Sequence, residues 1–258
     1  MILAGQLIGF AEYFTDDSYI YARFASNLVE KGEFVFNPGE RVHAATSPLW
    51  ALLVSGLIAL GIPVVAGAKI LGAACAIGAL LVFERLAHRR LGGGAWCALC
   101  LLLVATEPWF VRWSASGMET PLAVLLLVVA LEAGWRSPDR VAWARLGIAL
   151  GLLPLVRPEA LLLLGLVGLL ALGDPGARRR TAFWAGSAVP LVVWSAFALP
   201  YFGAVLPATL QAKSTPLGLV PSRFLANVVT LGALYAVALA LPALGWFAGL
   251  VRRPARVW

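Results

Sequence analysis

Apolar runs separated by short arginine-bearing breaks make up most of this chain, and one long polar stretch, Thr15 to Trp50, stands near its start. Within that stretch Ile20, Phe24 and Leu28 recur at helical spacing, while Arg23, Asn27 and Glu30 fall on another face. The spacing predicts an amphipathic helix over Asp17 to Lys31, lying at a membrane surface. Gly32 ends it. Phe34 to Phe36 reads as a short extended piece, Asn37-Pro38-Gly39 as a turn, and Ser47-Pro48 as the start of a helix with proline at its first position. The later runs predict spans over Val64 to Phe83, Ala95 to Phe110, Thr120 to Trp135, Val141 to Val156, Glu159 to Leu172, Thr181 to Leu199 and Phe224 to Leu250.

Composition sharpens this pattern into a class. Of the 258 residues, 61% are hydrophobic and 13% charged, with a mean hydropathy of +0.87. A soluble domain carries about 25% charged residues. The expected fold class is therefore all-α: a polytopic helical membrane protein, with the lipid bilayer as its surroundings. The net charge of +7 does not point to nucleic acid. Twelve of the twenty basic residues lie in four clusters, Arg85/Arg89/Arg90, Arg136/Arg140/Arg145, Arg178 to Arg180 and Arg252/Arg253/Arg256. The positive-inside rule puts all four in the cytoplasm, so an even number of spans separates each from the next.

That parity orients the rest. The polar stretch falls outside, and Val64 to Phe83 supplies the one crossing from it to Arg85. Ser47 to Leu60 is then an interfacial or re-entrant helix of the first outer loop. Outer segments hold nine acids, whereas inner loops hold four, Glu84, Glu132, Asp139 and Asp174. Trp96, Trp135, Trp143 and Trp184 fall at inner boundaries, and Trp109 and Trp113 at the outer one, as an aromatic belt requires. The expected organisation is one transmembrane domain over 1–258. It comprises a partial first helix (1–11), an outer loop with surface helices (12–63) and about seven spans (64–258), with the chain a fragment at both ends. Cys75, Cys97 and Cys100 lie in apolar runs and suggest no disulfide framework. His43 and His88 are isolated, and no zinc site is expected.

Four outer segments carry charge that a bilayer tolerates only with a use. Asp16 and Asp17 adjoin, and a carboxylate there could take a proton from an attacking hydroxyl or bind a divalent metal. The bland alternative is a helix N-cap. Arg23 and Asn27 lie one turn apart on the face of Asp16, and serve either a substrate or simple solvation. Glu119, in Ser116-Gly117-Met118-Glu119-Thr120-Pro121, opens a span, where it also suits the helix dipole. Arg157-Pro158-Glu159 joins two short apolar helices. Arg157 either pairs with Glu159 to cap helix ends or faces an anionic group, because its planar fork suits phosphate. Lys213 could add a point charge to that group.

With these residues placed, the stretch DDSYIYARFASNLVEKGEFVFNPGERVHAATSPLW resembles the first outer loop of the GT-C glycosyltransferase superfamily. Within it, the likeness is to bacterial proteins akin to the mycobacterial terminal β-(1→2)-arabinofuranosyltransferases. Asp16, Asp17, Ile20, Arg23, Phe24, Ala25, Asn27 and Leu28 match, as do Val35 to Asn37, Gly39 to Val42 and Thr46 to Trp50. SGMETPL, RPEALL and YFGAVLPATLQAKS resemble three further motifs of that family, in order. Two departures are visible: His43-Ala44-Ala45 stands where a Glu-Gly-Tyr-like piece is common, and Ala208 replaces a frequent asparagine.

The resemblance implies an enzyme of GT-C-like fold in a bacterial cytoplasmic membrane, with its site on the outer face. It implies transfer of a sugar from a polyprenyl-phosphate donor to a hydroxyl of a glycan or lipid-linked acceptor, in cell-envelope synthesis. Asp16 or Asp17 would be the general base. Arg23, Asn27, Asn37, Glu40, Arg41, Thr46, Glu119, Arg157, Glu159, Tyr201 and Lys213 would line the substrates. No cofactor is expected, and a divalent metal is not needed for a monophosphate donor. Other readings of the same charges are a transporter or flippase of a lipid-linked sugar, and a non-catalytic truncated subunit. Transporters favour broken helices at the midplane, whereas these charges gather at one face.

Overall fold

The computed structural model describes residues 2–10, 12–135 and 139–208. All regular structure among them is helical, and two helices are long and apolar enough to cross a bilayer, or three if one bent pair counts as a span. The chain is an all-α membrane protein. Lys213, the run Phe224 to Leu250 and the basic residues Arg136, Arg252, Arg253 and Arg256 lie outside the described residues.

Helix α1 (Ile2–Gly9) is short. Helix α2 (Asp16–Lys31) begins one residue before the expected start. Its N-cap is Thr15, so Asp16 and Asp17 occupy the first turn, where carboxylates favour the dipole. Gly32 ends it in the left-handed conformation, φ 71°, donating its N–H to the Leu28 carbonyl. The expected division of its faces needs correction. Ile20 is exposed, whereas Tyr21, Ala25 and Asn27 are buried with Phe24. The burial stripe is rotated because α2 packs on both α3 and α4 rather than lying on lipid alone. Residues 34–36 form no strand, with bends at 35–37, and Phe34 and Val35 are buried.

Helix α3 (Pro48–Ala59) has 12 residues, about 18 Å at 1.5 Å per residue, against a hydrocarbon core of about 30 Å. Its first turn places Trp50 on the Gly117 carbonyl, and Leu57 near its end meets Gly67 of the next helix. Both ends of α3 thus stay at one end of the molecule. Helix α4 (Val64–Leu91) runs 28 residues, past the expected Phe83, and takes His88, Arg89 and Arg90 into its last turn.

One expected span is broken. Ala95 to Phe110 divides into α5 (Ala95–Ala105) and α6 (Pro108–Ala115), bent by 53°. Pro108 cannot donate to a continuing helix, and Glu107 caps the new one by accepting the Phe110 N–H at 2.5 Å. Trp113 accordingly sits in a helix. Then follow α7 (Thr120–Gly134), α8 (Arg140–Leu152), a single 3-10 turn (Leu153–Leu155), α9 (Ala160–Leu172) and α10 (Ala177–Phe202).

Side-chain contacts fix the directions. Lys69, early in α4, donates to the carbonyls of Tyr13 (2.5 Å) and Ala115 (3.3 Å), just before α7. Late in α4, Arg89 pairs at 2.6 Å with Glu132, late in α7, and Arg145 of α8 meets the same carboxylate at 3.1 Å. Helices α4 and α7 are parallel, and α8 returns. Gly147 and Gly151 of α8 lie directly against the backbone of Phe183 and Ser187 of α10, so those two also run parallel. Arg89 and Arg145 mark one end of the bundle. The polar loop, Glu119, Arg157 and the end of α10 lie at the other.

Candidate active site at the loop end of the bundle

The Ser116 to Thr120 segment is the pin on which the polar loop turns. Gly117 adopts φ 81°, and a Cβ there would run into the Phe14 ring. This conformation turns two carbonyls toward the loop. Ser116 accepts from Thr15 Oγ1 (3.1 Å) and Ser18 Oγ (2.8 Å), and Gly117 accepts from Trp50 Nε1 (3.0 Å). Trp50 on this segment, and Phe24 with Phe34 toward α10, are buried. Burying each such side chain contributes about 1.5–3 kcal/mol, enough to hold a strandless loop to the bundle.

The pin delivers Glu119 into a cluster drawn from four segments. Its carboxylate is 2% exposed and pairs through Oε1 with Arg157 at 2.7 Å, while Oε2 has no hydrogen-bond partner. Arg157 also donates to Thr120 Oγ1 at 3.1 Å. Glu159 stands 3.9 Å away and is largely exposed, so the expected Arg157–Glu159 cap is the weaker contact. Tyr21 of α2 shares a hydrogen bond with Thr46 Oγ1 at 2.9 Å. Burial raises the Glu119 pKa and outweighs the Arg157 guanidinium, which pulls it down. Burial first, and the Glu119 carboxylate second, hold the Tyr21 phenol well above its ordinary value. Tyr21 was not singled out in the sequence. Its signal was its place one turn beyond Asp17, on the stripe that also carries Phe24 and Leu28.

The two aspartates diverge. Both are exposed, but Asp17 shares the i, i+4 stripe with Tyr21, whose hydroxyl is at Thr46. Asp16, about 100° round the helix, lines an open groove over α2 with Tyr19, Arg23, Ser26, Glu30 and Phe36. The remaining expected residues sit elsewhere. The buried Asn27 amide donates to the Val35 and Phe36 carbonyls, both at 2.9 Å, and holds the loop. Arg23 Nε donates to the Phe36 carbonyl at 3.3 Å. Asn37 donates to Glu40 at 3.0 Å on the exposed rim. Arg41 lies over the Tyr201 ring, 4.8 Å from its centre, and the Tyr201 hydroxyl accepts the Phe34 N–H at 3.1 Å. Tyr21, Thr46, Glu119 and Arg157 are therefore brought to one neighbourhood, with Asp17 one turn before Tyr21 on α2, while Arg41 of the loop meets Tyr201 near the end of α10. Among the described residues no group of three His, Cys, Asp or Glu side chains could hold a metal ion.

The sequence has a curated relative. Over 220 residues the chain is 30% identical to the terminal beta-(1->2)-arabinofuranosyltransferase of Mycobacterium tuberculosis (strain ATCC 25618 / H37Rv). The chain is a distant relative of a glycosyltransferase. The alignment covers 78% of this chain but 35% of that protein, so the chain spans about a third of the relative's length. No family model and no solved structure matches.

Proposed function

We propose that this chain carries the loop-end site of a membrane glycosyltransferase. In this reading it moves a sugar, arabinofuranose as the relative's name suggests, from a polyprenyl-phosphate donor to a hydroxyl of a cell-envelope glycan or lipid-linked acceptor. The observation that carries the reading is an exposed carboxylate (Asp17) one helical turn from Tyr21, whose hydroxyl meets Thr46 and feels the charges of the buried Glu119 and its half-exposed partner Arg157. Asp17 takes the proton of the acceptor hydroxyl as its oxygen attacks the anomeric carbon. The bond from that carbon to the phosphate oxygen breaks, and the phosphate leaves as an anion. Arg157, oriented by Glu119 and Thr120, offers its free N–H groups to that developing charge. The residues Asn37, Glu40, Arg41, Glu159 and Tyr201 line the approach of the substrates.

The loop end faces outward and the arginine end the cytoplasm, in a multi-pass bacterial inner-membrane protein. The leaving group is already a phosphate, so no metal is required. Transfer from a polyprenyl-phosphate arabinofuranose to an arabinan oligosaccharide, in membranes holding the full chain, tests the reading. Asp17→Asn is expected to lower the rate by about 10²–10⁴-fold, the usual worth of a positioned general base. Asp16→Asn is expected to stay within severalfold of wild type, and EDTA to have no effect. Full activity in Asp17→Asn would overturn the assignment.

A further inference from the structure

Beside the Glu119 cluster lies a second feature, which the transfer chemistry above leaves unused. A cavity of about 190 Å³ opens between the loop, the turn after α8 and helix α10. Its polar lining is His43, Thr46 and Ser195; the rest is apolar, including Pro158 and the Trp194 ring. No charged side chain lines it. His43 is 3% exposed, stacks on Phe202 with ring centres 4.9 Å apart, and lies 5.5 Å from the Trp194 ring centre. Neither of its ring nitrogens has a hydrogen-bond partner. The carbonyls of Ala204 and Leu206 lie near the ring without completing a bond to either. Buried polar atoms are rarely left in this state.

Resting on the donor reading above, we propose that this cavity takes the sugar ring of the donor, with His43 hydrogen-bonding its hydroxyls. A neutral imidazole presents one N–H donor and one nitrogen acceptor, so adjacent sugar hydroxyls satisfy both at once. An alkyl chain would fill the space and leave both unsatisfied. A single water, which takes about 30 Å³, would leave most of the cavity empty. Trp194 contributes an apolar ring to the lining, which suits the C–H side of a sugar. The lack of charge in the lining excludes the phosphate itself, and Pro158 places the cavity next to Arg157, where a phosphate finds a cation. Thr46 joins the two features, since it lines the cavity and bonds the Tyr21 hydroxyl on the stripe of Asp17. His43 is thus a specificity-determining residue for the sugar, at a position where the resemblance places a different side chain.

The test compares two probes on the purified full chain in detergent, citronellyl phosphate and citronellyl phosphoryl arabinofuranose, read by direct binding without turnover. Wild type is expected to bind the glycosylated probe at least tenfold more tightly. His43→Phe keeps the aromatic stack on Phe202 and is expected to abolish that increment, while binding citronellyl phosphate within twofold of wild type. His43→Gln, which still donates and accepts, is expected to retain part of the increment, and carries the test if His43→Phe does not fold. An unchanged increment in both variants overturns the proposal and makes the cavity a water-filled structural pocket. Equal weakening of both probes overturns it in favour of the isoprenyl chain as occupant. A wild-type chain that binds neither probe overturns the donor reading, and this one with it.

Discussion

At the scale of single residues, the Glu119–Arg157 pair shows why a buried charge is costly to disturb. Arg157 is 40% exposed and Glu119 only 2%, so removing the arginine strands the carboxylate rather than the reverse. Arg157→Met is expected to cost about 3 kcal/mol or somewhat less, the low end for a broken buried pair because the arginine keeps part of its hydration. Adding Glu119→Gln should recover most of that loss. Thermal unfolding of both variants in detergent measures it, and an additive double mutant would mean that the pair is not coupled. His43 gives a pH dependence. Burial lowers its pKa from the ordinary 6.5, so the unfolded chain binds the proton more readily than the folded one. Its contribution to stability is therefore complete above pH 6.5 and declines as pH falls from there toward the folded-state value. His43→Phe should flatten the stability profile in that window, and an unchanged slope would assign it to another group.

At the scale of helices, the α8–α10 pair depends on missing side chains. Gly147 and Gly151 are spaced one turn apart, as in the small-residue motifs that let membrane helices approach closely, and both abut the α10 backbone. A backbone neighbour cannot rotate aside as a side chain can. Gly151→Ala is expected to cost about 1–3 kcal/mol through overpacking. Gly165 of α9 has nothing within 4 Å of the position a Cβ would take. Gly165→Ala should be neutral, or stabilise by about 0.5–1 kcal/mol through helix propensity. Melting curves of the two variants compare the sites directly, and equal shifts would show that the close approach does not matter. Because α10 carries Trp194, Tyr201 and Phe202 to the loop, loosening this seam is also expected to disturb the cavity around His43.

At the scale of the whole molecule, the ion pairs of Glu132 and Glu119 lie at opposite ends of the described bundle. Arg89 and Arg145 converge on Glu132 at one end, while Asp17, Glu119 and Arg157 gather at the other. The orientation proposed for this polarity is open to direct labelling. In a background lacking the three native cysteines, Glu40→Cys is expected to react with a membrane-impermeant maleimide added to intact cells. Arg178→Cys should react only after permeabilisation. Labelling of both from the same side would overturn the span count and the outer placement of the loop.

The class of this molecule was legible in the chain, because hydropathy and arginine placement report on the bilayer as a solvent, which acts on each segment separately. So were the helix over Asp17 to Lys31, its stop at Gly32 and the start at Pro48, which depend on local backbone chemistry. The break at Thr106-Glu107 was also written locally, in an acidic cap before a proline, but it lay inside an apolar run whose length dominated the reading. Other features depended on tertiary structure. Asn27 reads as a polar residue on an exposed face, and only the return of Val35 and Phe36 makes it a buried clasp. Arg157 has an acid two positions away in sequence, yet its partner is Glu119, because the Gly117 turn drives that carboxylate into the interior. Asp16 and Asp17 are equivalent as letters. They separate only once α2 is packed, since a helical step of about 100° sends one toward Tyr21 and the other into the open groove. Local chemistry determined where most helices start and stop; which faces are buried and which side chains share a site was decided by packing between segments far apart in the chain.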